Sequence, residues 1–191
     1  MKGTWNKLDT SNFVVAVELN IILTGFMGTG KSEVGKQLAV RLGRKFIDTD
    51  EMIEQEEGMS IAQLFADKGE RYFREREKQM VARVCQKNSV VIATGGGAMV
   101  NEENAARLKA SGLVICLTAS PEVILGRIQK DETRPLLQGG EPLTKIRMLL
   151  SARAEAYAKA DVTIDTSHLK VDEVVQAVLA AAGKGLERTG G

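Results

Sequence analysis

A chain of 191 residues, 43% hydrophobic and 27% charged, can bury one sizeable core and has the composition of an ordinary globular domain. Its 26 basic residues nearly balance its 25 acidic ones, and a net charge of +1 offers no electrostatic case for nucleic acid or an anionic membrane surface, so any basic site is local. The two cysteines, Cys85 and Cys116, stand far apart in apolar surroundings, which fits buried thiols of a reducing compartment rather than a metal site.

Residues 1–18 carry Lys2, Lys7 and an apolar run at 13–17 that Glu18 interrupts. That run is too short for the apolar region of a signal peptide or for a bilayer span, so residues 1–18 read as an extension on a cytoplasmic protein. The chain then changes character. Leu19, Ile21, Ile22 and Leu23 suit a strand buried on both faces of a parallel sheet. The strand runs straight into GFMGTGKS at 25–32, which fits G-x-x-x-x-G-K-[ST], a phosphate-binding P-loop. The glycines let successive N–H groups turn inward around nucleotide phosphates, with Gly28, Thr29 and Gly30 forming the turn. The helix predicted to open at Lys31, with Val34, Leu38 and Leu42 on one face, adds the positive end of its dipole. Lys31 is placed to reach the β- and γ-phosphates. The Ser32 hydroxyl is placed to hold Mg²⁺, which takes oxygen ligands and arrives with the nucleotide.

A short strand at 45–48 ends in Asp48-Thr49-Asp50. Carboxylates at the C-terminal end of a strand border the crevice where open α/β sheets bind ligands; equally, Asp48 or Thr49 could cap a helix over 51–57. Helices are predicted at 60–65 and 69–85. The second is dense in charge, and Arg74 is spaced to pair with Glu70 and Glu77, so a solvated, ion-paired face accounts for it on spacing alone. SVVIAT at 89–94 is a β-branched apolar strand leading into Gly95-Gly96-Gly97, three glycines that mark close approach of the backbone to a ligand. A helix at 102–110, a strand at 113–117 and a helix opened by Ser120-Pro121-Glu122 follow. Residues 131–142, with two prolines, Gly139, Gly140 and Arg134, have the length and composition of a mobile lid. A helix over 143–159 carries Arg147 and Arg153. A strand at 161–165 and a helix at 171–182 close the domain, and the glycine-rich stretch 183–191 reads as a flexible tail. Five strands alternating with helices predict a doubly wound α/β sheet, a fold that does not choose among kinase, GTPase, motor and silent nucleotide switch.

In order and spacing, GFMGTGKS, FIDTD, SIAQLFADKGERYFREREKQ, ATGGG, RPLL and RAEAY resemble the shikimate kinase family from residue 19 to 182. The P-loop alone is shared by many proteins. The Asp-x-Asp, the Phe-Arg-x-x-Glu and the triple glycine in one chain make the likeness specific. The resemblance implies a nucleoside monophosphate kinase-like fold: a five-stranded parallel sheet of order 2-3-1-4-5, helices on both faces and a moving lid. It also implies transfer of the γ-phosphoryl of ATP, with Mg²⁺, to the 3-hydroxyl of shikimate, a step towards the aromatic amino acids. The matching positions make Arg74 and Arg153 ligands of the shikimate carboxylate, Asp50 a ligand of its hydroxyls, and Gly96 and Gly97 backbone donors. Asp48 stands by the metal with Ser32, Lys31 and Arg134 cover charge on the transferred phosphoryl group, and Arg127 lies against the adenine. Glu33 departs from the threonine that many relatives place there. It loses a contact to the α-phosphate, and we expect it to turn outward. His168 is expected to be solvated, Arg147 a surface charge, and the protein a monomer. Another small-metabolite kinase, for gluconate or a nucleoside monophosphate, is the nearest rival reading. A silent nucleotide-gated binding module is the rival from another class.

Overall fold

In a computed structural model of the chain, residues 19–128 and 141–186 are described, the side chains of 184–186 excepted. The strands are β1 (Asn20–Thr24), β2 (Lys45–Asp48), β3 (Val90–Ala93), β4 (Gly112–Thr118) and β5 (Val162–Asp165). Helices α1 (Lys31–Leu42), α2 (Thr49–Glu57), α3 (Ile61–Val84), α4 (Glu102–Ser111), α5 (Pro121–Ile128), α6 (Pro142–Ala152), α7 (Ala154–Ala158) and α8 (Val171–Leu186) intervene or follow. The sheet is parallel throughout and ordered β2-β3-β1-β4-β5, as the resemblance implied.

The central strand shows why an uninterrupted apolar run is required. Every residue of β1 is buried, and successive side chains take opposite faces of the sheet. Ile22 packs with Ile92 and Val114 against Leu64, Phe73 and Met80 of α3. Ile21 and Leu23 pack with Val91 and Ile115 against Val34 and Leu38 of α1 and Val174 and Val178 of α8. Each such side chain contributes about 1.5–3 kcal/mol by leaving water, so the layers on both sides fix the height of β1 and of the loop that leaves it. A third cluster, Phe26, Cys116, Ile124, Ile146 and Tyr157, joins that loop to β4, α5, α6 and α7.

Some predicted boundaries shift. The helices expected at 60–65 and 69–85 meet inside α3 at Gly69, whose φ of 80° and ψ of 167° break the helical backbone, while Ser60 and Gln63 form a reciprocal capping box at the start. The helix expected over 143–159 is interrupted at Arg153 (φ −106°, ψ 1°), between α6 and α7. The closing helix runs beyond residue 182 to Leu186, so the start of the expected tail is helical. Both cysteines are free, Cys116 buried and Cys85 half-buried. The extension 1–18, the expected lid up to residue 140 with Arg134, and residues 187–191 lie outside the described residues. Among the described residues no helix is long and apolar enough to cross a membrane.

Candidate active site

The loop after β1 is organised around the Phe26 carbonyl, which accepts from Thr29 Oγ1 at 2.8 Å and from Lys31 Nζ at 2.9 Å. The first-turn N–H groups of α1 have no partner within the helix and point out of its N-terminus beside this loop. Ser32 Oγ donates to Asp48 Oδ2 at 2.6 Å, while Asp48 Oδ1 accepts from the N–H groups of Asp50 and Glu51 at 3.0 and 3.3 Å. Both readings of Asp48 therefore hold: it caps α2 and it faces the P-loop serine. Glu33 is exposed at the rim of the cleft and accepts from Gln37 Nε2 at 3.2 Å.

The opposite wall is built from charge. Arg74 on α3 donates to Glu77 Oε2 at 2.9 Å and, through Nε and Nη2, to Glu70 Oε1 at 3.1 and 3.0 Å. The ion-paired face suggested by spacing exists, yet Arg74 also abuts the glycine loop, since a Cβ on Gly97 would lie 2.5 Å from its Nη1. Glu77 is only 1% exposed. Burial pushes its carboxyl above the ordinary glutamate range, against the opposing pull of Arg74 and Arg153. For Arg74 burial works against the charge, but the carboxylates of Glu77 and Glu70 prevail and raise its pKa.

The kink between α6 and α7 places Arg153 inside, 8% exposed, where Nη1 donates to the Gly96 carbonyl at 3.1 Å. Its guanidinium lies 5.6 Å from the centroid of the Phe26 ring. Tyr157 donates its hydroxyl to the same carbonyl at 2.6 Å, and burial pushes that phenol up to about 12. At the near end of the loop, the Gly95 N–H donates to the buried Thr49 hydroxyl at 3.1 Å. A Cβ on Gly95 would stand 2.6 Å from Asp50 Oδ1 and 2.7 Å from Glu77 Oε1, so the absence of a side chain at 95 is what lets both carboxylates pack against the loop.

Lys31, Ser32, Asp48, Asp50, Arg74 and Arg153 line one cleft of about 530 Å³, with Gly28, Gly30, Gly96 and Gly97 on its walls. Thr29 is buried, its hydroxyl spent on the loop itself. Arg127 stands behind the P-loop, donating to the Gly28 carbonyl at 3.3 Å. Arg134 lies outside the described residues. His168 is exposed, and Arg147 makes an exposed pair with Glu122 at 2.6 Å, the surface role expected of it. Spacing offered Glu77 only as an ion-pair partner of Arg74 and Thr49 only as a helix cap, and it did not single out Tyr157. The available signals were Glu77 three residues after Arg74 and Tyr157 four after Arg153, one helical turn in each case.

Among the described residues no three His, Cys, Asp or Glu side chains gather as a metal site. Ser32 and Asp48 offer two hard oxygen donors at the mouth of the P-loop. Such a pair fits a magnesium ion that brings its remaining ligands as phosphate and water.

The family model described as shikimate kinase matches residues 27–182. A shikimate kinase of Thermoanaerobacter pseudethanolicus is 47% identical over 162 residues, 85% of this chain and 95% of that protein. One of Geobacter sulfurreducens is 45% identical over 175 residues, 92% of this chain and 94% of that protein. The structure of shikimate kinase from Acinetobacter baumannii in complex with shikimate superposes with a TM-score of 0.84 at 37% identity, over 89% of this chain and 96% of that one. Motifs, strand order and relatives agree across the described domain, and the chain belongs to the shikimate kinase family.

Proposed function

We propose that the chain transfers the γ-phosphoryl group of ATP to the 3-hydroxyl of shikimate, giving 3-phosphoshikimate and ADP, and that the residues gathered in the cleft divide this work between its two walls. The observation that carries the division is the convergence of Arg74, Arg153, Asp50 and the glycine loop opposite Lys31 and Ser32 in one cleft.

Shikimate carries one carboxylate and three hydroxyls. Two guanidinium groups are suited to its carboxylate because each presents a planar fork of donors. Arg74 meets it by exchanging its exposed partner: Glu70 is more than half exposed and a pair of that kind is weak, whereas Glu77 is buried and keeps Nη1 in place. Arg153 is already desolvated and aimed by the Gly96 carbonyl and the Phe26 ring, so it needs little reorganisation. Backbone N–H groups of Gly96 and Gly97 add donors. Asp50 accepts a hydrogen bond from the attacking hydroxyl and orients it. A loose phosphoryl-transfer transition state asks chiefly for positioning and charge stabilisation, so orientation by Asp50 suffices.

On the phosphate wall, the P-loop N–H groups from Gly28 to Ser32 cradle the polyphosphate. Lys31 exchanges the Phe26 carbonyl for the β- and γ-oxygens, where its charge opposes the negative charge of the transition state. Ser32 and Asp48 hold Mg²⁺, which supplies neutralisation of the phosphate oxygens. Arg127 lies against the adenine, and Arg134 is assigned to the transferred group on its family position. We also propose a cytoplasmic monomer in which 19–182 is the kinase domain and 1–18 an extension.

The test is Mg²⁺-dependent ADP release by the purified protein with ATP and shikimate, gluconate, each nucleoside monophosphate or no acceptor. Release that rises with shikimate alone is expected. Release with gluconate or a nucleotide instead would replace the assigned acceptor, and ATP binding without release for any acceptor would favour a silent binding module.

A further inference from the structure

We infer that Thr166 is a positioning residue for the nucleotide, fixing Arg127 in the orientation that receives the base and tying it to the P-loop. The inference deepens the reading of Arg127 as the residue against the adenine and rests on it.

Thr166 follows β5 and is only 2% exposed. Its N–H donates to the Thr118 carbonyl at the end of β4 at 2.8 Å. Its Oγ1 lies 2.9 Å from that same carbonyl and 3.3 Å from the carbonyl of Thr29 in the P-loop. A hydroxyl has one proton, so Oγ1 shares it between two carbonyls and keeps lone-pair capacity for an incoming donor. That donor is Arg127. Its Nη1 lies 3.0 Å from Thr166 Oγ1 and its Nη2 2.7 Å from the Thr166 carbonyl, so the guanidinium fork closes on the two oxygens of one residue. A third, longer bond joins Nη1 to the Gly28 carbonyl at 3.3 Å.

Two features turn this cluster into a device for ligand binding. The bonded acceptors are three neutral oxygens, so the plane of the guanidinium is fixed without a direct ion pair, and the Asp165 carboxylate acts on its charge only through space. Arg127 is itself exposed, so a fixed flat cation is presented beside the loop that cradles the phosphates. A guanidinium held this way before the nucleotide arrives spares the ordering of a long side chain on binding, the usual gain of preorganisation. Thr166 bonds both Arg127 and, through the Thr29 carbonyl, the P-loop.

Thr166→Val keeps the branched shape and the burial but removes the nearer of the two acceptors for Nη1, leaving the longer bond to the Gly28 carbonyl. In that variant the dissociation constant for ADP is expected to rise about tenfold, the loss of one oriented hydrogen bond to a charged group. Affinity for inorganic tripolyphosphate, which has the phosphates without the base, and KM for shikimate are expected to stay within about twofold, and Thr166→Ser is expected to restore ADP binding. An equal loss for tripolyphosphate would overturn the inference, because Thr166 would then act on the P-loop through Thr29 rather than on the base through Arg127. ADP affinity like that of the parent protein would overturn it as well. Arg127→Ala measured in parallel separates the two levels. Unchanged ADP binding there refutes the base contact itself, whereas weak binding there with normal binding in Thr166→Val refutes only the role of Thr166. Should the valine variant not fold, Thr166→Ala removes the same hydroxyl and is read by the same comparison of ADP with tripolyphosphate.

Discussion

The two walls of the cleft are built by different means. The centre of the phosphate wall is local: the bonds inside its loop join Phe26 to Thr29 and Lys31, three and five residues apart, while Asp48, Arg127 and Thr166 reach it from elsewhere in the described chain. The acceptor wall is assembled from side chains of α2, α3 and the kink after α6, and its contacts to Gly96 span 57 and 61 residues. On the proposed assignment, the cradle for the phosphates is mainly a short sequence folded on the end of one strand. Acceptor choice is a property of buried charge that exists only once the whole sheet has formed. Substitutions on one wall should leave the other nearly untouched.

The sharpest break belongs to the phosphate wall. Lys31→Met should cut turnover about a thousandfold, as removal of a charge aimed at the transferred group does, with shikimate affinity within about twofold of the parent. Equilibrium binding of shikimate beside steady-state rates would check this, and a large loss of shikimate affinity would mean the walls are not separable. Next comes Arg153→Lys, which keeps the charge but loses the fork. KM for shikimate should rise on the order of tenfold or more while KM for ATP stays within about twofold. Parallel rises in both constants would contradict the division.

A smaller effect lies in the buried carboxyl. Because the pKa of Glu77 is raised in the folded protein, the native state binds its proton more tightly than the unfolded chain does. Its contribution to stability is therefore full below the ordinary glutamate value of 4.5 and is lost as pH rises through the higher native value. Glu77→Gln lacks this term. The melting temperature of the parent relative to the variant should fall as pH rises above 4.5, and parallel curves would show that burial does not govern Glu77. Smallest of all is Arg147→Ala. Its pair with Glu122 is exposed on both sides, so melting temperature should move by no more than about 1 °C and neither KM should change.

The same division explains what was legible beforehand. The strand order came with the family likeness, and GFMGTGKS announced its own wall because a P-loop is written in consecutive residues whose neighbours must be a strand and a helix. Arg74 illustrates the opposite. Spacing alone paired it with Glu70 and Glu77, and both pairs exist, but that pattern cannot say that Glu77 is buried or that Gly97 lies against the guanidinium. Arg153 was placed in a continuous helix, whereas the backbone breaks there and turns the arginine onto Gly96. Thr49 and Tyr157 stand inside FIDTD and RAEAY and Thr166 outside any motif, but none carries a charge, and only the tertiary contacts reveal that they hold the glycine loop and Arg127.

The most direct measurement is equilibrium titration of the parent protein and of Arg153→Ala with shikimate and with its carboxamide, in which a neutral amide of nearly the same shape replaces the charged carboxylate. If two guanidinium groups grip the carboxylate, the parent should prefer shikimate by about a hundredfold or more, and most of that preference should vanish in the variant. A parent protein that binds both ligands alike, or a preference that survives loss of Arg153, would contradict the assignment of the acceptor wall.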